Sequence, residues 1–309
     1  MAISFRILSP NTNLRPQLAC EITPEGVIAA RQQKDEQAVL SFAPLAPGVV
    51  QPGLTGSNFS DEAAVAAALG KALDEVAARE KQLTLVVPDA AVRVLMLDFD
   101  ALPAKAQEAL PIVRFRLRKL MPFEVDDAAV SYQVIRQGSG ETRALVTVMP
   151  AAVRAKYESA VRAAGYEPGV VLPSTLASLA ALTTSDAALV VNRNGLSFTT
   201  AIASGDELLL HRTQELPMGD GAEREEMAES VSVARAYFED TLNSSPEVLY
   251  YVGPGGAQEF ARVLEETAAE DGLRVRDLVS GPGMGTTGMG AGGTMPNGLM
   301  AGVTGALAS

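Results

Sequence analysis

Short apolar runs broken by turn residues open the chain. Leu18 to Ile22, Val27 to Arg31 and Ala38 to Phe42 read as three strands, with Pro24-Glu-Gly26 turning between the first two. A Pro/Gly-rich loop from Pro44 to Gly56 leads to Ser60, a candidate N-cap for a helix reaching about Lys81, and Leu83 to Val87 forms the next strand. The same order returns further on. Ala187 to Val191, Ser197 to Ile202 and Glu207 to Arg212 are again three strands with short turns. A long helix from Ala222 to Leu242 follows, its Met227, Val231, Ala234 and Phe238 spaced as a core-facing stripe. The pattern predicts two α/β halves that each begin with a β-meander.

Between the halves lies a unit of different character, Leu110 to Tyr132. Pro111 suits the first turn of a helix and Pro122 a stop after Met121. At about 100° per residue, Val113, Leu117, Leu120 and Met121 share one side, and Arg114, Arg118 and Lys119 share the other. Phe115 falls on the basic side, either covered by another part of the chain or offered to a partner. Ser131 to Arg136 and Thr142 to Val148 read as a hairpin, Ala151 to Ala164 as an amphipathic helix ending at Gly165.

Charge and composition narrow the chemistry. With 309 residues, 47% of them hydrophobic, the chain can bury a large core, and a net charge of −12 argues against a nucleic-acid partner. One cysteine and one histidine exclude a protein-only zinc site, a disulfide framework and a Cys/His catalytic pair. Cys20 reads as a buried strand residue, and His211, ending a strand, has no partner suggested by its surroundings. No run of about 18 apolar residues is present to span a bilayer, and Met1 to Leu8 lacks a secretory pattern, so a cytoplasmic location is expected.

In register, residues 83 to 135 resemble the PilM family of actin-like type IV pilus assembly proteins, through Pro88, Pro122-Phe123, Glu124, Asp126 and Tyr132. A weaker resemblance covers most of the chain. It implies a two-lobed actin-like fold of the FtsA/PilM type, with a small α+β subdomain inserted in the first lobe. The implied layout is a first lobe over 1–185 with the insert at about 89–165, and a second lobe over 186–309. Residues 280–297 read as a flexible Gly/Met-rich loop and 298–308 as a terminal helix.

Such folds bind ATP and magnesium between their lobes. The nucleotide positions implied here are Glu21, Thr23, Asn192, Gly253, Gly255 and Gly256. Pro24 and Ile28 stand where the family pattern has a free N–H and a lysine, Glu25 adds repulsion toward phosphate, and Asn192 replaces an aspartate. Both phosphate loops therefore read as degenerate, with no cofactor, no metal site and no catalytic residue expected. The resemblance also implies a PilN-like inner-membrane partner and other pilus components, reached through Arg114, Phe115, Arg118, Lys119, Phe123 and Tyr132. Contact with the membrane would then be indirect. The expected role is an adaptor in pilus or related type II secretion assembly that takes a cytoplasmic N-terminal peptide of that partner. An ATP-binding switch or slow ATPase is the alternative, and a small-molecule kinase of the superfamily a more distant one.

Overall fold

The computed structural model describes residues 16–33, 38–138, 140–267, 273–279, 295–296 and 298–308. Most of the Gly/Met-rich segment expected at 280–297, and all of Met1 to Leu8, lie outside these residues. In the first sheet, β1 (Leu18–Ile22), β2 (Gly26–Gln32) and β3 (Ala38–Pro44) form an antiparallel meander. Gly26 makes its turn possible: a Cβ there would meet the Ala43 carbonyl at 2.4 Å. Helix α1 (Glu62–Val76) then crosses over to β4 (Gln82–Val87), which pairs parallel to β1. A parallel neighbour requires such a crossover.

Asp61, not Ser60, caps α1: its Oδ1 accepts from the Ala64 N–H at 2.9 Å, while the Ser60 hydroxyl donates to Gly48 O. The helix also stops sooner than its pattern suggested, because Ala78 takes the left-handed φ of 52°.

Every residue of β1 is buried, since helices cover both faces of the sheet. Leu18, Cys20 and Ile22 face the α1 side, and Ala19 faces the opposite side. Burial pushes the Cys20 thiol far above its ordinary range, so it is an inert core group.

The insert leaves after β4. A 3-10 turn (Asp89–Ala91) leads to β5 (Arg93–Phe99), α2 (Ala106–Leu117), β6 (Ala129–Gly138), β7 (Glu141–Met149) and α3 (Ala151–Ala163). Its three-stranded antiparallel sheet has the order β5-β7-β6. Helix α2 departs from its expected bounds at both ends. It begins five residues before Pro111, which lies in its interior, and it closes at Leu117 with Arg118 as C-cap. Leu120 is consequently beyond the helix and exposed, while Ala109, Val113 and Leu117 form the buried stripe.

Strand β8 (Glu167–Pro173) returns to the first sheet beside β4, giving the order β3-β2-β1-β4-β8. Helix α4 (Ser174–Leu179) passes to the second sheet, built from β9 (Ala188–Asn194), β10 (Ser197–Ser204), β11 (Glu207–Glu215), β12 (Val248–Val252) and β13 (Arg274–Asp277). Its order, β11-β10-β9-β12-β13, repeats the first, with the same antiparallel meander and parallel pair. Helix α5 (Asp220–Leu242) makes the crossover and buries Met227, Val231, Ala234 and Phe238. Helix α6 (Gly256–Glu266) follows β12. The last helix, α7 (Ala301–Ala308), packs back on the first sheet, where Val303 and Ala306 meet Ala19, Ile28 and Val86.

Candidate functional site

Glu21, one residue before the end of β1, lies inside the seam between the two sheets and is 3% exposed. The Ser174 hydroxyl donates to its Oε1 at 2.5 Å; Asn192 Nδ2 donates to Ser174 Oγ at 2.9 Å, and Asn194 Nδ2 to Asn192 Oδ1 at 2.9 Å. The other carboxyl oxygen is shut in by the terminal helix: a Cβ on Gly302 would lie 2.1 Å from it. Burial raises the Glu21 pKa to about 8, against the Ser174 hydrogen bond that lowers it, and Asp89 and Glu25 add repulsion. With this pKa the carboxyl is neutral near pH 7 and takes its place in the hydrogen-bonded seam. Glu21 and Asn192 are brought together, but through Ser174.

Thr23 serves the turn itself. Its hydroxyl donates to Gly26 O at 3.0 Å and accepts from the Gly26 N–H at 3.2 Å. The next residue, Pro24, reaches across to the turn of the second meander, and a Cβ on Gly195 would stand 2.9 Å from its ring. The two turns that hold phosphates between them in an actin-like ATPase here touch each other. Beside them Arg193 pairs with Glu223, and its Nε donates to Gly195 O at 3.4 Å.

The glycine turn after β12 is also covered. Gly253 and Gly255 have φ of 147° and 80°, conformations open to glycine. The Gly253 N–H donates to Gly298 O at 3.0 Å, and a Cβ on Gly298 would lie 2.2 Å from Gly253 O and 3.1 Å from Gly256 Cα. At the start of α6 the Ala257 N–H, which could meet an anion, donates to Asp277 Oδ1 at 2.7 Å. The segment leading into α7 thus lies over this turn, and α7 itself lies over Glu21. Among the described residues no group of three or more His, Cys, Asp or Glu side chains could hold a metal ion.

One member of the seam carries no signal in the sequence beyond following a strand. Asp89, 1% exposed, accepts from the Thr175 N–H at 3.1 Å, from the Thr175 hydroxyl, and from Thr199 Oγ1 at 3.1 Å. It thereby joins the base of the insert, α4 and the second sheet. His211 lies close enough for Asp89 to favour its charge, yet burial dominates and lowers its pKa; its Nε2 is buried without a hydrogen-bond partner. The imidazole is neutral.

The residues expected to meet a partner divide into four kinds. Arg114 is committed internally, its guanidinium donating to Val125 O at 2.5 Å, Ala128 O at 3.0 Å and Asp126 O at 3.2 Å. Arg118 pairs with the Asp126 carboxylate at 2.6 Å on the surface. Phe123 and Tyr132 are half-buried against the core of the insert. Phe115 is 61% exposed, with Lys119 Nζ 5.6 Å from its ring centre.

A cleft of about 820 Å³ opens next to the touching turns. Its walls are the Gly48–Thr55 loop, including Val50 and Leu54, then Arg93 and Pro122 at the base of the insert, and Leu196 and Ser197 of the second sheet. Ser197 is 7% exposed and its Oγ, buried, has no hydrogen-bond partner. None of these wall residues had been singled out from sequence as a binding position, because loop, insert and second sheet are far apart along the chain.

Duplicated five-stranded sheets, a helix passing between them and an α+β insert in the first lobe define the class: a two-lobed actin-like fold. The chain is similar in structure to PilM in a PilM–PilN type IV pilus biogenesis complex. The TM-score is 0.72 at 18% identity, over 94% of this chain and 97% of that one. Two further solved structures match less closely. The cytoplasmic domain of EpsL, an inner-membrane component of the type II secretion system of Vibrio cholerae, gives a TM-score of 0.47 at 12% identity, covering 85% of this chain and 98% of that one. A protein of unknown function with an actin-like ATPase fold from Bacteroides thetaiotaomicron gives 0.49 at 9%, covering 87% and 94%. No family model and no curated protein matches the sequence.

Proposed function

We propose that this chain is a non-catalytic adaptor of a pilus or related secretion assembly, and that it captures a short segment of a PilN-like inner-membrane protein in the cleft beside the insert. The observation that carries this reading is the contrast between two places. The cleft walled by Leu54, Arg93, Pro122 and Leu196 is open, whereas the seam is filled by the chain's own Pro24, Gly298 and Gly302. An extended peptide can lay apolar side chains on Leu54 and Leu196. The shared fold with PilM supports the partner class. Among the described residues no helix is long and apolar enough to cross a membrane, so in this reading the partner supplies the anchor at the inner face.

The test is calorimetric titration of the full chain with the cytoplasmic N-terminal peptide of the PilN-like protein. Leu196→Asp and Arg93→Glu are expected to weaken binding tenfold or more with an unchanged melting temperature, as the loss of contacts near an interface centre does. Wild-type affinity in both variants would remove the cleft from consideration. Magnesium ATP at millimolar concentration is expected to leave the melting temperature in place, where a working site at 100 times its Kd would add about 2.7 kcal/mol.

A further inference from the structure

The loop that forms one wall of the cleft has no apolar core of its own. From Gln51 to Ser57 its residues are exposed or half-buried, and two of them, Gly53 and Gly56, are glycines, which leave a chain many shapes to choose from. The first buried side chain after them is Asn58, 2% exposed. Gln51, Pro52, Gly53, Leu54 and Thr55 line the cleft; Asn58 lies outside its lining.

The Asn58 carboxamide closes this loop from the inside. Its Oδ1 accepts from the Gly53 N–H at 3.0 Å and its Nδ2 donates to Gly53 O at 3.0 Å, so both backbone groups of that glycine are held by one side chain. The backbone of Asn58 takes a φ of 55°, a left-handed conformation that asparagine adopts more readily than most residues with a side chain. Beneath the carboxamide the loop ends are joined, the Gln51 N–H donating to Asn58 O at 2.8 Å and the Ser60 N–H to Val49 O at 2.9 Å. Tyr157, on α3, ties the arrangement to the first lobe: its hydroxyl donates to the same Oδ1 at 3.3 Å, and its ring meets Phe59 edge-on with centres 4.8 Å apart.

We propose that Asn58 is a positioning residue for the cleft: by fixing Gly53 it holds the wall over residues 51–55 in its binding shape before a ligand enters. This rests on the cleft being the ligand site, as read above. A ligand that meets a formed wall need not order it on binding, and where the wall is in shape for only a fraction of the time the apparent Kd rises by the inverse of that fraction. Loss of Asn58 therefore acts on association. Loss of a residue that touches the ligand, such as Leu54, acts mainly on dissociation.

Asn58→Gly removes the carboxamide and keeps a residue at ease with the positive φ. In the free full chain, amide exchange over residues 51–57 is expected to quicken about tenfold while β1 keeps its wild-type protection. Stopped-flow mixing with the N-terminal peptide of the PilN-like protein should show association slowed about tenfold and dissociation changed by less than about twofold, and Leu54→Ala the reverse. Unchanged exchange over residues 51–57 would overturn the proposal, because the wall would then be held without the carboxamide. So would quickened exchange with wild-type association, or an effect confined to dissociation, which would make Asn58 a contact residue. Tyr157→Phe, which frees Oδ1 from α3 and keeps the ring, is expected to show the same pattern at about threefold, and the same criteria apply to it if Asn58→Gly unfolds. If the wild type takes up no peptide, the reading of the cleft falls and the positioning role with it; if the wild type binds and a criterion fails, only the role of Asn58 falls.

Discussion

Across the seam between the lobes, buried aliphatic residues of both sheets belong to one cluster, which includes Leu85 and Val87 of the first and Val190 and Ala201 of the second. The insert instead encloses Val113, Leu117, Val125 and Val146 in a core of its own. The seam adds buried polar groups that are satisfied by one another, Glu21 through Ser174 to Asn192, and Asp89 to Thr175 and Thr199. At the insert surface the ion pairs are solvated, Arg143 with Asp98 and Arg118 with Asp126. Two lobes that hinge over a ligand need an interface that can open at small cost. A shared apolar core with interlocked hydrogen bonds is the opposite arrangement.

The harshest way to break this contrast is at Gly305, where a Cβ would lie 1.9 Å from Ala177 O on the helix that links the lobes. Gly305→Val is expected to cost 3 kcal/mol or more in urea unfolding, because backbone cannot move aside as a side chain does. Asp89→Ala should follow at about 2–4 kcal/mol, since it leaves the Thr175 N–H and hydroxyl buried without an acceptor. If Asp89→Ala proves neutral, the seam is not held by its polar network.

Val113→Ala sharpens the comparison from the other side. About 2 kcal/mol is expected from the lost methyls and the cavity. Hydrogen exchange should quicken across residues 93–149 and leave β1 and β9 protected; protection lost equally in both lobes would show that the insert has no independent core. The seam also responds to pH. Glu21 has a folded pKa of about 8, above its ordinary 4.5. Its contribution is therefore complete below 4.5 and is lost as pH rises through about 8. The wild-type melting temperature should fall between about pH 4.5 and 8 and level off above, in a component that Glu21→Gln, a lasting mimic of the neutral carboxyl, abolishes. An identical fall in the variant would assign that loss elsewhere.

Much of the architecture was legible along the chain because strands and helices bury sides of fixed period. The meander of Leu18–Ile22, Gly26–Gln32 and Ala38–Pro44, its repetition from Ala188, and the α5 stripe all follow from spacing. Cap choice was less legible. Ser60 and Asp61 are adjacent and equally able to cap, and the structure gave the Ser60 hydroxyl to Gly48 O. The limits of α2 were misplaced because Pro111 signals a first turn, yet packing of Ala109, Val113 and Leu117 holds the helix through it.

Residue identity alone also fixed the chemistry of the two turns: Pro24 has no N–H to donate, and Asn192 carries no charge. What stands in their place could not be read from the sequence. Asp89 reaches Thr199 over 110 residues of chain, and Gly298 covers Gly253 from beyond another stretch of chain. Such pairings have no local periodicity, because they arise only when two sheets, each stable by its own pattern, are pressed together and every buried donor must find an acceptor. Tertiary structure alone decided that the seam is filled from within and that the open space lies beside it.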